Sequence, residues 1–145
     1  MVAIQPLSVG EVEYIAHALA VKWFRQDEPI PEFSTRYPDK LESCLQQPFT
    51  AFQDLDPYPT LIDKAAIMFY LLTKNHPFLN GNERLAVTTV LNFLAKNDKW
   101  VEASPVSLYE IAKLVAGSKP EEKDVVVGAF KVFLEKYLVD FDAED

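Results

Sequence analysis

The chain has 145 residues, of which 49% are hydrophobic, a net charge of −8 at pH 7 and a single cysteine. That is enough apolar material for one domain, residues 1–145, with a sizeable core. The acidic balance argues against direct binding of nucleic acid, which needs a basic face. The lone Cys44 excludes an internal disulfide and fits a reducing compartment. The apolar runs are too interrupted to span a membrane, and the first residues lack a signal-peptide pattern, so we expect a cytoplasmic protein with no membrane partner.

The first half of the chain begins with a helical pattern. Ser8 and Glu11 form a capping-box pattern, and apolar residues at helical spacing follow to residue 24, Ile15 among them, which predicts a helix over 8–24. The proline-rich stretch 25–38 is typical of an extended connector. A short helix is then predicted over 39–47, with Cys44 packed as a small apolar residue and not as a nucleophile.

Residues 49–58 combine aromatic side chains with aspartates and a proline. The pattern permits two interpretations, a short hairpin or a loop tucked under its own aromatic side chains, and the sequence alone favours the loop.

The second half predicts four more helices. Thr60, with Asp63 three residues later, is the N-cap of an almost wholly apolar helix that Pro77 ends. A second buried helix is predicted over 81–96, followed by a turn, a brief extended piece at 100–101, and helices over 105–117 and 120–138. An acidic tail is expected over 140–145. The chain therefore predicts an all-α bundle of about six helices.

The stretch that joins the two buried helices carries the chemistry, and it reads His76-Pro77-Phe78-Leu79-Asn80-Gly81-Asn82-Glu83-Arg84. It offers an imidazole base, a glycine that lets a ligand approach the backbone, and a guanidinium in the first turn of the next helix. Amide N–H groups at a helix start favour anions, so the set indicates phosphate transfer to a hydroxyl. The alternative is an ordinary loop, with His76 capping the first helix and Arg84 exposed.

The stretch 76–84 resembles the signature of the Fic/Doc family, roughly HPFx(D/N)GNxR. The resemblance extends over nearly the whole chain and favours the Doc, or death-on-curing, branch. It includes Leu7-Ser8 with Glu11-Val12, residues 39–48, the helix before the signature, and the C-terminal part. It implies the Fic/Doc-like helical bundle, with residues 49–59 as a short flap that docks the backbone of a target protein as an added strand.

The same resemblance implies roles for individual residues. His76 would be the general base, and Arg84 would clamp a terminal phosphate of ATP. The nucleotide phosphates would lie along Asn80, Gly81, Asn82, Glu83 and Arg84. Doc-type proteins move the γ-phosphate of ATP to a threonine of elongation factor Tu and so stop translation, whereas Fic members typically transfer AMP. A Phd-like antitoxin would be the restraining partner, because the family's built-in inhibitory pattern, (Ser/Thr)xxxE(Gly/Asn), is missing from the sequence.

Two residues depart from the family pattern. Asn80 replaces the acidic residue that commonly holds Mg²⁺, so the metal would have only a neutral amide ligand here. Glu83 stands where Doc proteins usually have lysine, which places a negative charge beside the phosphates. The second departure keeps a further hypothesis open, that of a catalytically impaired module that binds an antitoxin.

Overall fold

The computed structural model describes residues 3–23 and 29–141. Six helices run through this part of the chain. The first, α1, covers residues 9–22 and consists of Val9–Glu11, a π-helical segment Val12–His17 and Ala18–Lys22. The others are α2 (Pro38–Gln46), α3 (Leu61–Lys74), α4 (Asn82–Lys96), α5 (Pro105–Ala116) and α6 (Lys123–Tyr137). Short 3-10 turns cover Phe33–Thr35, Gln47–Phe49 and Pro120–Glu122. The predicted all-α bundle of six helices is confirmed.

Helices α3 and α4 form the centre of the bundle. Side chains are buried without interruption over 64–73 in α3 and 84–94 in α4, which agrees with the largely apolar sequence of α3 and with apolar residues on most faces of α4. The ring of Phe69 in α3 stacks on that of Phe130 in α6 at 4.2 Å between centroids. The helix pair that flanks the signature is therefore held on several sides.

Local sequence signals set the helix starts. Both predicted capping boxes form, with the Ser8 hydroxyl accepting from the Glu11 N–H at 3.1 Å and the Thr60 hydroxyl accepting from the Asp63 N–H at 3.0 Å. Each satisfies N–H groups that lack an intrahelical partner. Asp63 also pairs with Lys131 of α6 at 2.6 Å, so one cap joins two helices.

Ile15 follows the helical spacing of the apolar residues in α1 but does not pack in the core, since its side chain is 51% exposed. The π-helical segment that contains Ile15 has i→i+5 spacing, so residues spaced for an α-helix turn away from the core. The predicted end of this helix at residue 24 and the first part of the connector, residues 25–28, lie outside the described residues.

A two-stranded antiparallel sheet closes the fold. The strand β1 (Lys99–Val101) confirms the predicted extended piece and pairs with β2 (Leu138–Asp140). Asp140, predicted to begin the acidic tail, is instead the last residue of β2; its side chain is 89% exposed and forms an ion pair with Lys99. Residues 142–145 of the predicted tail lie outside the described part. Among the described residues no helix is long and apolar enough to cross a membrane.

Candidate functional site

The signature turn holds its histidine in a left-handed backbone conformation. Helix α3 ends at Lys74 with Asn75 as its C-cap, and His76 follows with φ = 50°. Few residues other than glycine adopt this conformation, which costs about 1–2 kcal/mol. The side chain is exposed, and the imidazole has no hydrogen bond to any other described residue. A strained, open histidine between two buried helices is a candidate catalytic group and not a helix cap.

Three contacts anchor the turn behind His76. The Phe78 ring is buried and lies 6.0 Å from the ring of Phe33. The Phe78 N–H donates to Asn82 Oδ1, and Asn82 Nδ2 donates back to the Phe78 carbonyl, both at 3.0 Å. From the other side, the Tyr37 N–H donates to the Pro77 carbonyl at 2.8 Å. The turn is therefore fixed both to α4 and to the segment that leads into α2.

These contacts refine the prediction for Asn82. Its side chain is buried and both ends of its carboxamide are used by Phe78. The side chain thus holds the loop in place with one of its two amide N–H groups, and the backbone N–H of Asn82, the first of α4, has no intrahelical partner and remains for a phosphate. The assignment of Asn82 to nucleotide binding stays a prediction.

Gly81 is required by the fold as well as by the predicted chemistry. It is the N-cap of α4 with φ = 72°, and a Cβ atom at this position would lie only 2.5 Å from Ile30 Cδ1. The segment before α2 therefore packs directly over the glycine. The same Cβ would lie 3.6 Å from Arg84 Nη2, which places the guanidinium beside the start of α4.

Arg84 is buried, with 4% of its surface exposed, so the alternative of an ordinary loop with an exposed arginine is wrong. A buried guanidinium costs desolvation energy, and proteins retain one where it has charged or hydrogen-bonding partners. Glu83 is partly buried in the first turn of the same helix, at the positive end of the dipole, and Asn80 is exposed on the loop. The structure therefore places the Arg84 guanidinium beside Gly81 at the start of α4, with His76 and Asn80 exposed on the turn that precedes it.

The predicted flap contains a very short hairpin. Phe52 and Leu55 exchange two backbone hydrogen bonds of 2.9 Å around Gln53 and Asp54, which both have positive φ. The favoured interpretation, a loop tucked under its own aromatic side chains, is wrong for Phe52. Its side chain and that of Leu55 are each 73% exposed.

Lys64 of α3 holds the base of this flap. It is buried, and its ammonium donates to the Pro48 carbonyl at 2.9 Å and to Asp56 at 3.0 Å, over the ring of Phe49. The ammonium, helped by the Tyr58 N–H, keeps the pKa of Asp56 below its ordinary value. Sequence reasoning missed this role. The sequence indicates this role only by the presence of a lysine within the apolar run at the beginning of α3.

The two other residues with possible chemistry are structural. Cys44 is fully buried as predicted, and burial raises its pKa to about 11, although a contact from Asn75 opposes the shift. The ring of His17 packs edge-on against Phe33, and its Nε2 lies 2.8 Å from the Pro31 carbonyl. No cluster of three or more acidic, histidine or cysteine side chains that could hold a metal is present in residues 3–23 and 29–141.

Comparison with known proteins agrees with this geometry. A toxin Doc from Mycolicibacterium smegmatis is 35% identical over 57 residues, which is 39% of this chain and 44% of that protein, so the match spans less than half of the relative. No solved structure gives a significant match. A model of the Fic/DOC family matches residues 6–94, which include α1, the flap, α3, the signature and nearly all of α4. The chain belongs to the Fic/DOC family.

Proposed function

We propose that this chain is a Doc-like toxin that transfers the γ-phosphate of ATP to a serine or threonine hydroxyl of a translation factor of the elongation factor Tu class. Translation would stop as a result. The observation that carries the proposal is the signature turn, in which an exposed His76 with φ = 50° is followed by a helix start where the buried Arg84 lies beside Gly81. The match to a toxin Doc supports the choice of toxin.

His76 acts as the general base in this proposal. An imidazole nitrogen within hydrogen-bond reach of the acceptor hydroxyl takes its proton as the hydroxyl oxygen attacks the γ-phosphorus. A bond forms between these two atoms, and the bond from the γ-phosphorus to the β,γ-bridging oxygen breaks. ADP leaves with the bridging oxygen, and the proton remains on the imidazole until solvent removes it.

The start of α4 fits the phosphates. The backbone N–H groups of its first turn have no intrahelical partner and lie at the positive end of the helix dipole. Arg84 adds a full positive charge next to Gly81, where it balances the charge that develops on the transferred group. Mg²⁺ characteristically takes one or two protein oxygens and completes its shell with phosphates and water, so Asn80 Oδ1 is the ligand that this chain offers.

Glu83 is the residue that opposes the proposal. Its carboxylate shares the first turn of α4 with the phosphate position, where it stabilises the empty helix by about 0.3–1 kcal/mol but repels an anion. This repulsion supports the alternative hypothesis of a catalytically impaired module that binds an antitoxin. Replacement of Glu83 by lysine separates the two hypotheses, because it restores the charge that Doc proteins usually have.

We also propose a Phd-like antitoxin as the partner. A segment that folds onto the toxin needs exposed apolar surface. The described part of the chain offers such a surface in a groove of about 350 Å³ between α5 and α6, where Leu114 and Val125 are each 75% exposed. Co-purification with a Phd-like antitoxin should be lost with Leu114→Asp and kept with the neighbouring Lys113→Glu.

ATP labelled at the α- or the γ-phosphate tests the reaction itself. We expect the chain, or its Glu83→Lys variant, to transfer γ-label to elongation factor Tu in the presence of Mg²⁺, and His76→Ala to transfer none. Transfer of α-label instead would identify an AMP transferase. No label from either the chain or Glu83→Lys would leave the antitoxin-binding module.

A further inference from the structure

A polar cleft of about 500 Å³ includes His76 in its lining. One wall is α2 and the other is the end of α3, and the lining residues are Asp39, Lys40, Ser43, Lys74, Asn75 and His76. None of the signature residues 77–84 lines it. The cleft therefore meets the candidate catalytic site only at the proposed base.

The two walls are fixed relative to each other. The Tyr37 N–H, just before α2, donates to the Pro77 carbonyl at 2.8 Å, and Asn75 Nδ2 lies 3.9 Å from Cys44 Sγ of α2. Lys74 is committed elsewhere, because its ammonium donates to the carbonyls of Ala116 and Ser118 at the end of α5. The cleft is thus a preformed space and not a gap between loosely joined parts.

The chemistry of the lining argues against a nucleotide base as the occupant. Nucleotide-type sites present apolar and aromatic walls with a few polar groups. Here every lining side chain is polar, and α2 contributes a carboxylate, an ammonium and a hydroxyl. Asp39 and Lys40 form no ion pair with any other described residue, and the Lys40 ammonium lies 4.9 Å from the centroid of the Tyr37 ring. Such a lining suits a polar polypeptide segment with several hydrogen-bonding groups.

The geometry of phosphoryl transfer gives the cleft its place in the reaction. Attacking and leaving oxygens lie roughly in line on opposite sides of the transferred phosphorus. With the phosphates at the start of α4, the acceptor hydroxyl must reach His76 from the side away from Gly81 and Arg84. The cleft contains His76 and none of residues 77–84, so it offers the acceptor a space that the phosphates at the start of α4 do not occupy.

We propose that this cleft binds the segment of the target protein that carries the acceptor hydroxyl, and that Asp39, Lys40 and Ser43 of α2 determine which segments are accepted. This inference rests on the proposed function, since it needs a protein acceptor and His76 as the base. It assigns the choice of acceptor to α2, in addition to the flap at residues 49–59.

Steady-state transfer to elongation factor Tu, with the factor and ATP varied in turn, tests the proposal. Ser43→Trp fills the cleft, whereas Glu42→Trp puts the same ring on the exposed side of α2, away from the cleft. We expect Ser43→Trp to raise KM for the factor by about tenfold or more with a much smaller change in KM for ATP, and Glu42→Trp to change neither. Lys40→Glu should also raise KM for the factor, in a salt-dependent way.

Three outcomes would overturn the assignment. An unchanged KM for the factor in a folded Ser43→Trp variant would show that the cleft does not hold the acceptor. An equal rise of both KM values would place the nucleotide there. Absence of any transfer by the unsubstituted chain and by Glu83→Lys would remove the proposed function and this inference with it, whereas the first two outcomes leave the proposed function intact.

Discussion

Replacement of Asn82 by alanine tests whether this side chain holds the signature loop. Its carboxamide satisfies both the N–H and the carbonyl of Phe78, each at 3.0 Å, in a place where Asn82 is 6% and Phe78 2% exposed. An unsatisfied buried backbone group costs about 1–3 kcal/mol, and relaxation of the loop would admit some water to both groups. We therefore expect Asn82→Ala to lower the free energy of unfolding by about 2–4 kcal/mol.

Urea unfolding followed by circular dichroism gives this quantity directly. Leu79→Ala is the matched control, because Leu79 is in the same loop with 56% of its side chain exposed, and it should change the free energy of unfolding by less than about 0.5 kcal/mol. If Asn82→Ala is as stable as Leu79→Ala, the carboxamide does not support the loop. The Asn82 side chain is then again a candidate for binding a phosphate.

Asn82→Asp refines the same experiment through pH. The substitution keeps the acceptor for the Phe78 N–H but sets a carboxylate oxygen against the Phe78 carbonyl. Burial and this repulsion should raise the pKa of the introduced carboxyl above its unfolded value. Stability is then highest below the unfolded pKa of about 4 and is lost as pH rises through the folded pKa. A variant whose stability relative to the unsubstituted chain is independent of pH would contradict this.

Three further predictions concern the surroundings of the turn. Lys64→Met should increase hydrogen exchange of the amides in residues 49–58, because the flap loses the ammonium that joins Pro48 to Asp56, whereas Lys99→Met should leave them unchanged. His76→Gly should be more stable than His76→Ala by about 1 kcal/mol, since glycine adopts φ = 50° without strain; equal stabilities would refute the strain argument. Cys44, with its pKa raised to about 11, should resist alkylation at pH 8 until urea unfolds the chain, and rapid alkylation of the folded chain would contradict its burial. The contribution of Cys44 to stability should be lost as pH rises from the unfolded pKa of about 9 towards the folded pKa of about 11.

The parts of the fold that sequence predicts are those set by neighbouring residues. The capping boxes at Ser8 and Thr60 are read from residues three positions apart, and both form. The nearly all-round apolar character of α3, and the apolar residues on most faces of α4, predict the burial of both helices in the same way. By contrast, β2 pairs with a strand 37 or more residues earlier in the chain, and no local pattern reports such a pairing.

The flap contains a hairpin turn whose residue types do not predict it. A two-residue hairpin of this type favours Asn-Gly or Asp-Gly, because both central residues need positive φ. Here the turn is Gln53-Asp54, with φ values of 51° and 63°, so the sequence lacks the residue pair that would have favoured the hairpin over the loop. The hydrogen bonds of the buried Lys64 to the base of the flap, which sequence does not reveal, accompany this conformation.

The candidate site also has features that the sequence predicts and features that it does not. The types and spacing of His76, Gly81 and Arg84 indicate the chemistry, and the structure places the Arg84 guanidinium beside Gly81 at a helix start that follows the exposed His76. Sequence does not tell that Asn82 turns back to Phe78, that Ile30 packs on Gly81, or that a polar cleft opens beside His76. Each of these depends on segments that meet only in the folded chain.

The intact mass of elongation factor Tu after incubation with this chain, ATP and Mg²⁺ tests whether His76 is the base of a phosphoryl transfer. We expect the gain of a single phosphoryl group with the chain or its Glu83→Lys variant, and no gain with His76→Ala in either background. His17→Gln is the matched control for loss of an imidazole, and it should keep full transfer because His17 only supports the Pro31 carbonyl and Phe33. Transfer that survives His76→Ala, or gain of an adenylyl group instead, would contradict the proposed mechanism.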